Sequence, residues 1–123
     1  MEFPKLTAQH RRLEELAGKW TGQEKVYASP YTAEGQATGR FDFRMDLEGF
    51  FLLTDYVEES DSNPTYYAHG VFGWDVKQAS YTLHWFDNFG NPPAAPGHGQ
   101  WQGDTLTFHH EYPTGSGRTI FGL

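Results

Sequence analysis

The sequence of 123 residues contains no cysteine. Disulfide bonds, thiolate metal sites and a cysteine nucleophile are therefore excluded. Long apolar runs are also lacking, because no stretch of about 18 apolar residues is present that could cross a membrane as a helix. The N-terminal stretch MEFPKLTAQHRR has no apolar core of the length found in signal peptides. These absences favour a cytoplasmic protein without a membrane span.

Basic residues are scarce: 9 lysines and arginines stand against 16 acidic residues, which gives a formal charge of -7. A protein that binds the phosphate backbone of nucleic acids normally carries a basic stripe, so no nucleic-acid partner is expected. Aromatic residues make up 17% of the chain, which excludes a disordered segment. The length predicts a single domain over residues 1–123 with one core.

One helical pattern is convincing, and it covers residues 5–17, KLTAQHRRLEELA. Spacings of four, three and four residues place on one side Leu6, His10, Leu13 and Ala17. Thr7 is the predicted N-cap, although His10 stands where a capping box has Glu or Gln. Gly18 is expected to end the helix, as glycine commonly does.

From residue 19 onward the apolar pattern has a period of two, which is typical of strands. The clearest example is RFDFRMDL, residues 40–47, with phenylalanine, methionine and leucine on one face and charges on the other. Further strands are predicted at about 19–27, from 50, and at about 65–75, 79–87, 98–102, 104–112 and 117–123. Short strands joined by turns predict an all-β fold with an antiparallel up-and-down sheet. A sheet this long is expected to close into a barrel.

Two hairpins can be placed in register from their turns. The first, with its turn at Lys77-Gln78, gives the pairs Trp74–Tyr81, Phe72–Leu83 and Gly70–Trp85. The second, with its turn at Gly103-Asp104, gives the pairs Trp101–Leu106 and Gly99–Phe108. Because side chains alternate along a strand, His110 shares the face of Phe108.

The stretch LAGKWTG, residues 16–22, joins the helix to the first strand. Gly18 permits a sharp turn there. We expect Trp20 to point inward and fill the bottom of the barrel beneath the helix. Gly22 shares the inner face two residues later, where it leaves room for the indole.

Three segments in this order resemble the bacterial domain-of-unknown-function family 1579: HRRLEELAGKWTGQEKVY, GVFGWDVKQASYTLHWFDNFG and GQWQGDTLTF. The helix that runs into Gly18-Lys19-Trp20 also resembles the start of the calycins, the superfamily of lipocalins and fatty-acid-binding proteins. The resemblance implies a calycin-like β-barrel with an internal cavity, and it supplies no established reaction. Calycins tend to stack a late arginine on the motif tryptophan, and Arg118 is the only arginine beyond Arg44.

The inward-facing side chains form the predicted ligand site. The predicted ligand contacts are Glu24, Phe43, Met45, Phe72, Tyr81, Trp85, Asp87, Phe108 and His110. An apolar wall with a few orienting polar groups is typical of small-molecule pockets, so the predicted partner is a small apolar or amphipathic molecule. The alternative is that the same rings simply fill the core. The family resemblance favours the cavity.

Two other functions use the same face. An enzyme of unknown reaction would bring together Glu24, Asp87 and His110 for acid–base chemistry, but no catalytic residue is assigned. The calycin resemblance also implies haem binding through an interior histidine, with His110 as the first candidate and His84 as the second. No other cofactor and no metal are expected, because the adjacent residues His109 and His110 point to opposite faces of a strand.

The last predicted strand, RTIFGL, has apolar groups on both faces and ends without proline or a bulge to protect its edge. It either closes the barrel against the first strand or pairs with a second subunit, or the natural chain is longer. We expect a homodimer, because the outer face is also partly apolar. That outer face carries His69, Val71, His84 and Phe86.

Overall fold

Eight antiparallel strands follow a short helical segment in the computed structural model of the chain, which describes residues 3–26, 28–30, 32–90, 92, 95–112 and 115–123. The helical segment consists of α1 (Ala8–Arg12) and a 3-10 turn (Leu13–Leu16). The strands are β1 (Gly18–Val26), β2 (Gly35–Asp46), β3 (Phe51–Ser60), β4 (Tyr66–Asp75), β5 (Ser80–Asp87), β6 (Gly97–Gln102), β7 (Thr105–Tyr112) and β8 (Gly115–Gly122). No helix in this described part of the chain is long and apolar enough to cross a membrane.

The strands form one sheet in the order β1-β2-β3-β4-β5-β6-β7-β8, so each strand pairs with its neighbours in the chain. The all-β, antiparallel up-and-down architecture is therefore confirmed. Both predicted hairpin registers are also confirmed, since Phe72 lies opposite Leu83 and Gly99 lies opposite Phe108. The pairing between β5 and β6 is short and covers only residues 81–83 of β5.

The sheet is curled into a half-barrel. Among the described residues, β1 pairs only with β2 and β8 pairs only with β7. The curl nevertheless carries Phe121 of β8 across the interior to the rings of Phe41 and Phe43 on β2, with centroids 6.2 Å apart in both cases. Side chains rather than backbone hydrogen bonds therefore hold the two ends of the sheet together.

The helix is shorter than the predicted span of residues 5–17, because its last turn tightens into a 3-10 turn. Its N-terminus is capped as predicted by Thr7, and His10 completes the capping box in place of Glu or Gln: its Nδ1 accepts a hydrogen bond from the Thr7 backbone at 3.0 Å. The Tyr81 hydroxyl donates to the Gln9 carbonyl at 2.7 Å, which ties the helix to the sheet.

The helix end covers the barrel interior with leucines, not with Trp20. Leu13 and Leu16 are 0% and 3% exposed, whereas Trp20 is 42% exposed. Trp20 follows the inward alternation of β1, but β1 is an edge strand that pairs only with β2 in the described part of the chain. Its Nε1 donates to the Leu16 carbonyl at 3.0 Å. The prediction that Trp20 fills the bottom of the barrel is therefore wrong.

The glycines beside Trp20 differ in role. Gly18 has a φ of 126°, so the predicted sharp turn is confirmed. A Cβ at Gly22 would meet no atom within 4 Å. Gly22 is therefore not needed to make room for the indole, contrary to the prediction.

A core of aromatic and aliphatic side chains occupies the concave face. Its buried members are Leu13, Leu16, Phe43, Leu52, Phe72, Tyr81, Leu83, Leu106 and Phe108. Arg118 does not join it: the side chain is exposed, and its strand partner is His109, whose neighbours in β7 are the inward residues Phe108 and His110. Arg118 therefore lies on the convex face, away from the position in which calycins stack a late arginine on the motif tryptophan. Arg12 does stack on a tryptophan: its guanidinium carbon lies 4.4 Å from the centre of the Trp101 ring.

Candidate functional site

The predicted site residues fall into two groups along the concave face. Four of them, near the middle of the sheet, are buried in the packed core: Phe43, Phe72, Tyr81 and Phe108. The centroids of the Phe43 and Phe108 rings lie 5.9 and 5.6 Å from that of Phe72. Met45 packs against the same core. These packed rings leave no room for a ligand among them. The open space on the concave face lies at the end of the sheet that the helix does not cover.

At that uncovered end, Glu24 of β1 meets two residues of β3. The Tyr56 hydroxyl lies 2.7 Å from both carboxylate oxygens of Glu24 and 3.0 Å from Oε1 of Glu58. A tyrosine hydroxyl has a single proton to donate. When Tyr56 donates to one carboxylate, its contact with the other is satisfied only if that second carboxyl group is protonated. The geometry therefore accommodates one additional proton.

The electrostatics of Glu24 agree with this proton count. Burial, followed by the hydrogen bond and the negative charge of Glu58, raises the pKa of Glu24 from 4.5 to about 7, against the opposing hydrogen bond from Tyr56. Near neutral pH the cluster therefore exchanges its additional proton readily. Burial, with the two nearby carboxylates, also raises the pKa of Tyr56 well above its usual range, so its hydroxyl stays protonated.

The contact between Glu24 and Tyr56 depends on the absence of a side chain at Gly39 in β2. A Cβ there would overlap Oε1 of Glu24 and lie 2.8 Å from the Tyr56 hydroxyl. A larger residue at this position would force the carboxylate out of the cluster.

A second hydrogen-bonded group lies beside the first on β4 and β5. The Tyr66 hydroxyl donates to Oδ2 of Asp87 at 2.8 Å and accepts from Nε1 of Trp85 at 2.8 Å. Burial raises the pKa of Tyr66. The ring of Tyr56 lies 6.0 Å from the rings of both Tyr66 and Trp85, so the two groups are in contact through their aromatic rings.

A cavity of about 400 Å³ opens next to these two groups. Its wall is formed by Thr32, Glu58, Ser60, Asn63, Pro64, Thr65, Tyr66, Asn88 and Phe89. Glu58 and Tyr66 thus belong both to the hydrogen-bonded groups and to the cavity wall. The rings of Tyr66 and Phe89 are 5.8 Å apart and inclined at 45°, which gives the wall an apolar side.

Side-chain amides hold the loops around the cavity in place. Asn63 accepts from the Ala33 backbone at 2.8 Å and donates to the Ala33 carbonyl at 3.1 Å. Asn88 donates to the Thr65 carbonyl at 3.1 Å and accepts from the Tyr67 backbone at 3.3 Å. These bonds join the three loops that surround the cavity.

Of the three polar residues predicted to orient a ligand, the structure brings Glu24 and Asp87 to the same end of the sheet. His110 lies instead against Gly97 of β6, and its Nε2 is 3.0 Å from the Thr119 hydroxyl. Burial, followed by the charge of His109, lowers the pKa of His110. His84 alternates with Leu83 and Trp85 and so lies on the convex face, which removes it as an interior haem ligand.

The residues that the sequence analysis missed are Tyr56, Glu58, Tyr66 and Phe89. Tyr56 could have been found, because it continues the inward alternation of Leu52 and Thr54 in β3. Its register against β2 was not evident, because the intervening turn has an unusual conformation. No group of three or more His, Asp or Glu side chains suited to a metal ion occurs in the part of the chain that the structure describes.

The raised pKa of Glu24 predicts a dependence of stability on pH. A carboxyl group whose pKa is higher in the folded state stabilises that state fully below its unfolded pKa, near 4.5, and this contribution is lost as the pH rises through about 7. After allowance for solvent screening, the loss should be about 1–2 kcal/mol. Urea unfolding of the wild type and of Glu24→Gln at about pH 5 and about pH 8 measures it.

In this experiment the wild type should lose more stability between the two pH values than Glu24→Gln, which has no proton to lose. Glu59→Gln is the matched control, because Glu59 is exposed and pairs with Arg40. It should show the wild-type pH dependence. An equal loss in the wild type and in Glu24→Gln would contradict the assignment of the titration to Glu24.

Comparison with protein-family models gives a match over most of the chain. The family described as "Protein of unknown function (DUF1579)" matches residues 5–120. No curated protein and no solved structure matches the chain.

Proposed function

We propose, for a chain that belongs to the DUF1579 family of proteins of unknown function, that it binds a small amphipathic molecule in the cavity at the uncovered end of its sheet. One observation carries the proposal: the cavity of about 400 Å³ combines an aromatic side with hydrogen-bonding groups. Its volume falls within the range of about 300–1,000 Å³ that is usual for small-molecule sites, and such sites combine the same two kinds of surface.

The residues at the cavity have different roles in the proposed binding. The rings of Tyr66 and Phe89 offer apolar surface to a chain or ring of the ligand. Glu58 offers a carboxylate, and the side chains of Asn63 and Asn88 fix the surrounding loops. Trp85 and Asp87 hold Tyr66 in place through its hydroxyl. The ligand meets a preformed surface, which limits the entropy lost on binding.

The calycin-like assignment and the single-domain boundaries, residues 1–123, are part of this proposal. They are supported by the up-and-down strand order, the curl of the sheet and the N-terminal helix over one end. In this interpretation the ligand lies above the packed rings of the core, not among them. The main ligand contacts are then Tyr66, Phe89 and Glu58, with Glu24, Trp85 and Asp87 behind them.

The binding proposal predicts the effect of Phe89→Ala. A neutral fluorescent probe, Nile red, should bind the wild type, and Phe89→Ala should weaken binding about tenfold, because one aromatic side of the cavity is lost. Fluorescence titration measures the affinity. Phe89 is 57% exposed, so its removal should leave the fold intact.

Phe86→Ala is the matched control for this prediction. Phe86 is 44% exposed and lies opposite His69 on the convex face, away from the cavity. Its removal should leave the affinity unchanged. Equal weakening in both variants, or none in Phe89→Ala, would contradict binding in this cavity.

A second candidate function, acid–base catalysis, is favoured by the pKa of Glu24 near 7 beside the hydroxyl of Tyr56. A carboxyl group that gains and loses a proton near neutral pH suits a general acid or base. The two functions differ in the fate of the ligand. A binding protein returns the molecule unchanged after incubation, and an enzyme returns a product, which mass spectrometry detects.

A further inference from the structure

The charged side chains described at the cavity and beside Glu24 on the concave face are acidic. On the concave face, the described residues beside Glu24 are uncharged or acidic: Gly39 and Ala37 on β2, Tyr56 and Glu58 on β3, Tyr66 on β4 and Asp87 on β5. The positive residues of β1 and β2 nearest to them, Lys25 and Arg40, occupy the alternate positions, which face the convex side. Among the residues that the structure describes, the cavity lining includes Glu58 and no lysine or arginine. A cation entering the cavity would therefore meet carboxylates without a competing positive side chain.

The aromatic rings beside these carboxylates also favour a cation. Tyr66 and Phe89 line the cavity. The ring of Tyr56 lies behind them, with its centroid 6.0 Å from those of Tyr66 and Trp85. The face of an aromatic ring carries partial negative charge and attracts ammonium groups, most strongly where water is excluded. An amphipathic ammonium compound would use the carboxylate for its charge and the rings for its apolar part.

The additional proton of the Glu24–Tyr56–Glu58 cluster partly neutralises the carboxylates when the cavity is empty. The positive charge of an ammonium group beside Glu58 offsets the repulsion between the carboxylates of Glu24 and Glu58. The proton on Glu24 is then released to solvent. Charge is conserved by this exchange, because one cation enters as one proton departs. The affinity of a cationic ligand should therefore increase with pH through the range in which the cluster titrates.

We propose that the natural ligand carries an ammonium group, which binds at Glu58 against the Tyr66 and Phe89 rings and displaces the proton held at Glu24. This inference rests on the proposed binding function and specifies its ligand class. Glu24 is a positioning residue here, because it acts on the ligand through the proton of the cluster.

Three probes with the same alkyl chain test the inference: octyltrimethylammonium, 1-octanol and octanoate. The quaternary ammonium has no proton of its own, so any proton released comes from the protein. Isothermal titration calorimetry at about pH 8 should give an affinity at least about tenfold higher for the ammonium compound than for octanol, with octanoate the weakest. At about pH 6 the affinity for the ammonium compound should fall about tenfold, while that for octanol stays unchanged.

Repeating the titration at about pH 6 in two buffers of different ionisation enthalpy should show close to one proton released per ammonium bound. Glu58→Gln should remove the preference for the ammonium compound but retain octanol binding. Glu24→Gln should remove the dependence on pH. Glu59→Gln, a neighbouring carboxylate that is exposed and paired with Arg40, should behave as the wild type.

The outcomes separate this inference from the proposed function. If octanol or octanoate binds as tightly as the ammonium compound, the inference is overturned and the binding function stands. If the ammonium compound binds tightly but without proton release, the displacement step is overturned. If none of the three probes binds, the proposed function fails, and the inference fails with it.

Discussion

Phe72→Ala is expected to lower the free energy of unfolding by about 3–5 kcal/mol, which is the cost of removing a large aromatic side chain from a packed core. Phe72 is fully buried. Its ring contacts those of Phe43, Phe108 and Phe121 at centroid distances of 5.9, 5.6 and 5.3 Å. These neighbours come from three different strands, and they cannot all move into the space that the ring leaves. Urea unfolding monitored by circular dichroism measures the change.

Trp20→Ala is the informative comparison, because tryptophan is the larger side chain and yet should cost only about 1 kcal/mol. Trp20 is 42% exposed and makes one hydrogen bond, to the Leu16 carbonyl. A loss for Trp20→Ala as large as that for Phe72→Ala would mean that the indole is buried in solution. The half-barrel would then have to be closed beside β1.

Gly99→Ala is expected to destabilise the protein by about 3 kcal/mol, although it adds a single methyl group. A Cβ at this position would overlap the backbone oxygen of Thr107 and lie 2.8 Å from the ring of Phe108. The Thr107 oxygen is fixed in the ladder between β6 and β7, and Phe108 is fully buried in the core. Neither the Thr107 oxygen nor the Phe108 ring can move without disturbing the neighbouring strands, so the added methyl group cannot be accommodated by a small local shift.

The same substitution at Gly22 provides the control. A Cβ there would meet no atom within 4 Å, and Gly22 lies within a strand as Gly99 does. Gly22→Ala should change the unfolding free energy by no more than about 0.5 kcal/mol. Thermal and urea unfolding of the two variants measure the loss. Comparing them separates the steric effect of the added methyl group from the different strand propensities of glycine and alanine. Similar losses in both variants would show that the methyl group acts through the backbone preference of alanine and not through contact with Thr107 and Phe108.

The strands could be predicted from the sequence because their apolar alternation and their turns agree. The register of β4 and β5 followed from one short turn, which leaves few ways to pair Trp74 with Tyr81. The open form of the sheet could not be predicted in this way. Trp20 points inward in a closed barrel and in a half-barrel alike, so alternation carries no information about whether β1 has a second neighbour.

The candidate site was predicted in part for a similar reason. Glu24 and Asp87 were identified because they share the faces of Trp20 and Trp85. Their connection through Tyr56 and Tyr66 depends on how β3 pairs with β2, and that pairing follows a turn in which Leu47 and Glu48 have φ values of 52° and 60°. Non-glycine residues rarely adopt this left-handed conformation, and leucine and glutamate are not residue types that predict it. The register, and with it the position of Tyr56 and Glu58, was therefore hidden.

The strand order bears on how the chain folds. Because every strand pairs with the next one along the chain, the sheet can grow by adding successive hairpins, each closing only a short loop. The large entropic cost of joining distant segments arises when Phe121, near the C-terminus, reaches Phe41 and Phe43 on the second strand. Such local pairing is associated with rapid folding for a β protein. The chain can thus assemble the ladder of its sheet progressively and bring Phe121 against the rings of Phe41 and Phe43 at the end.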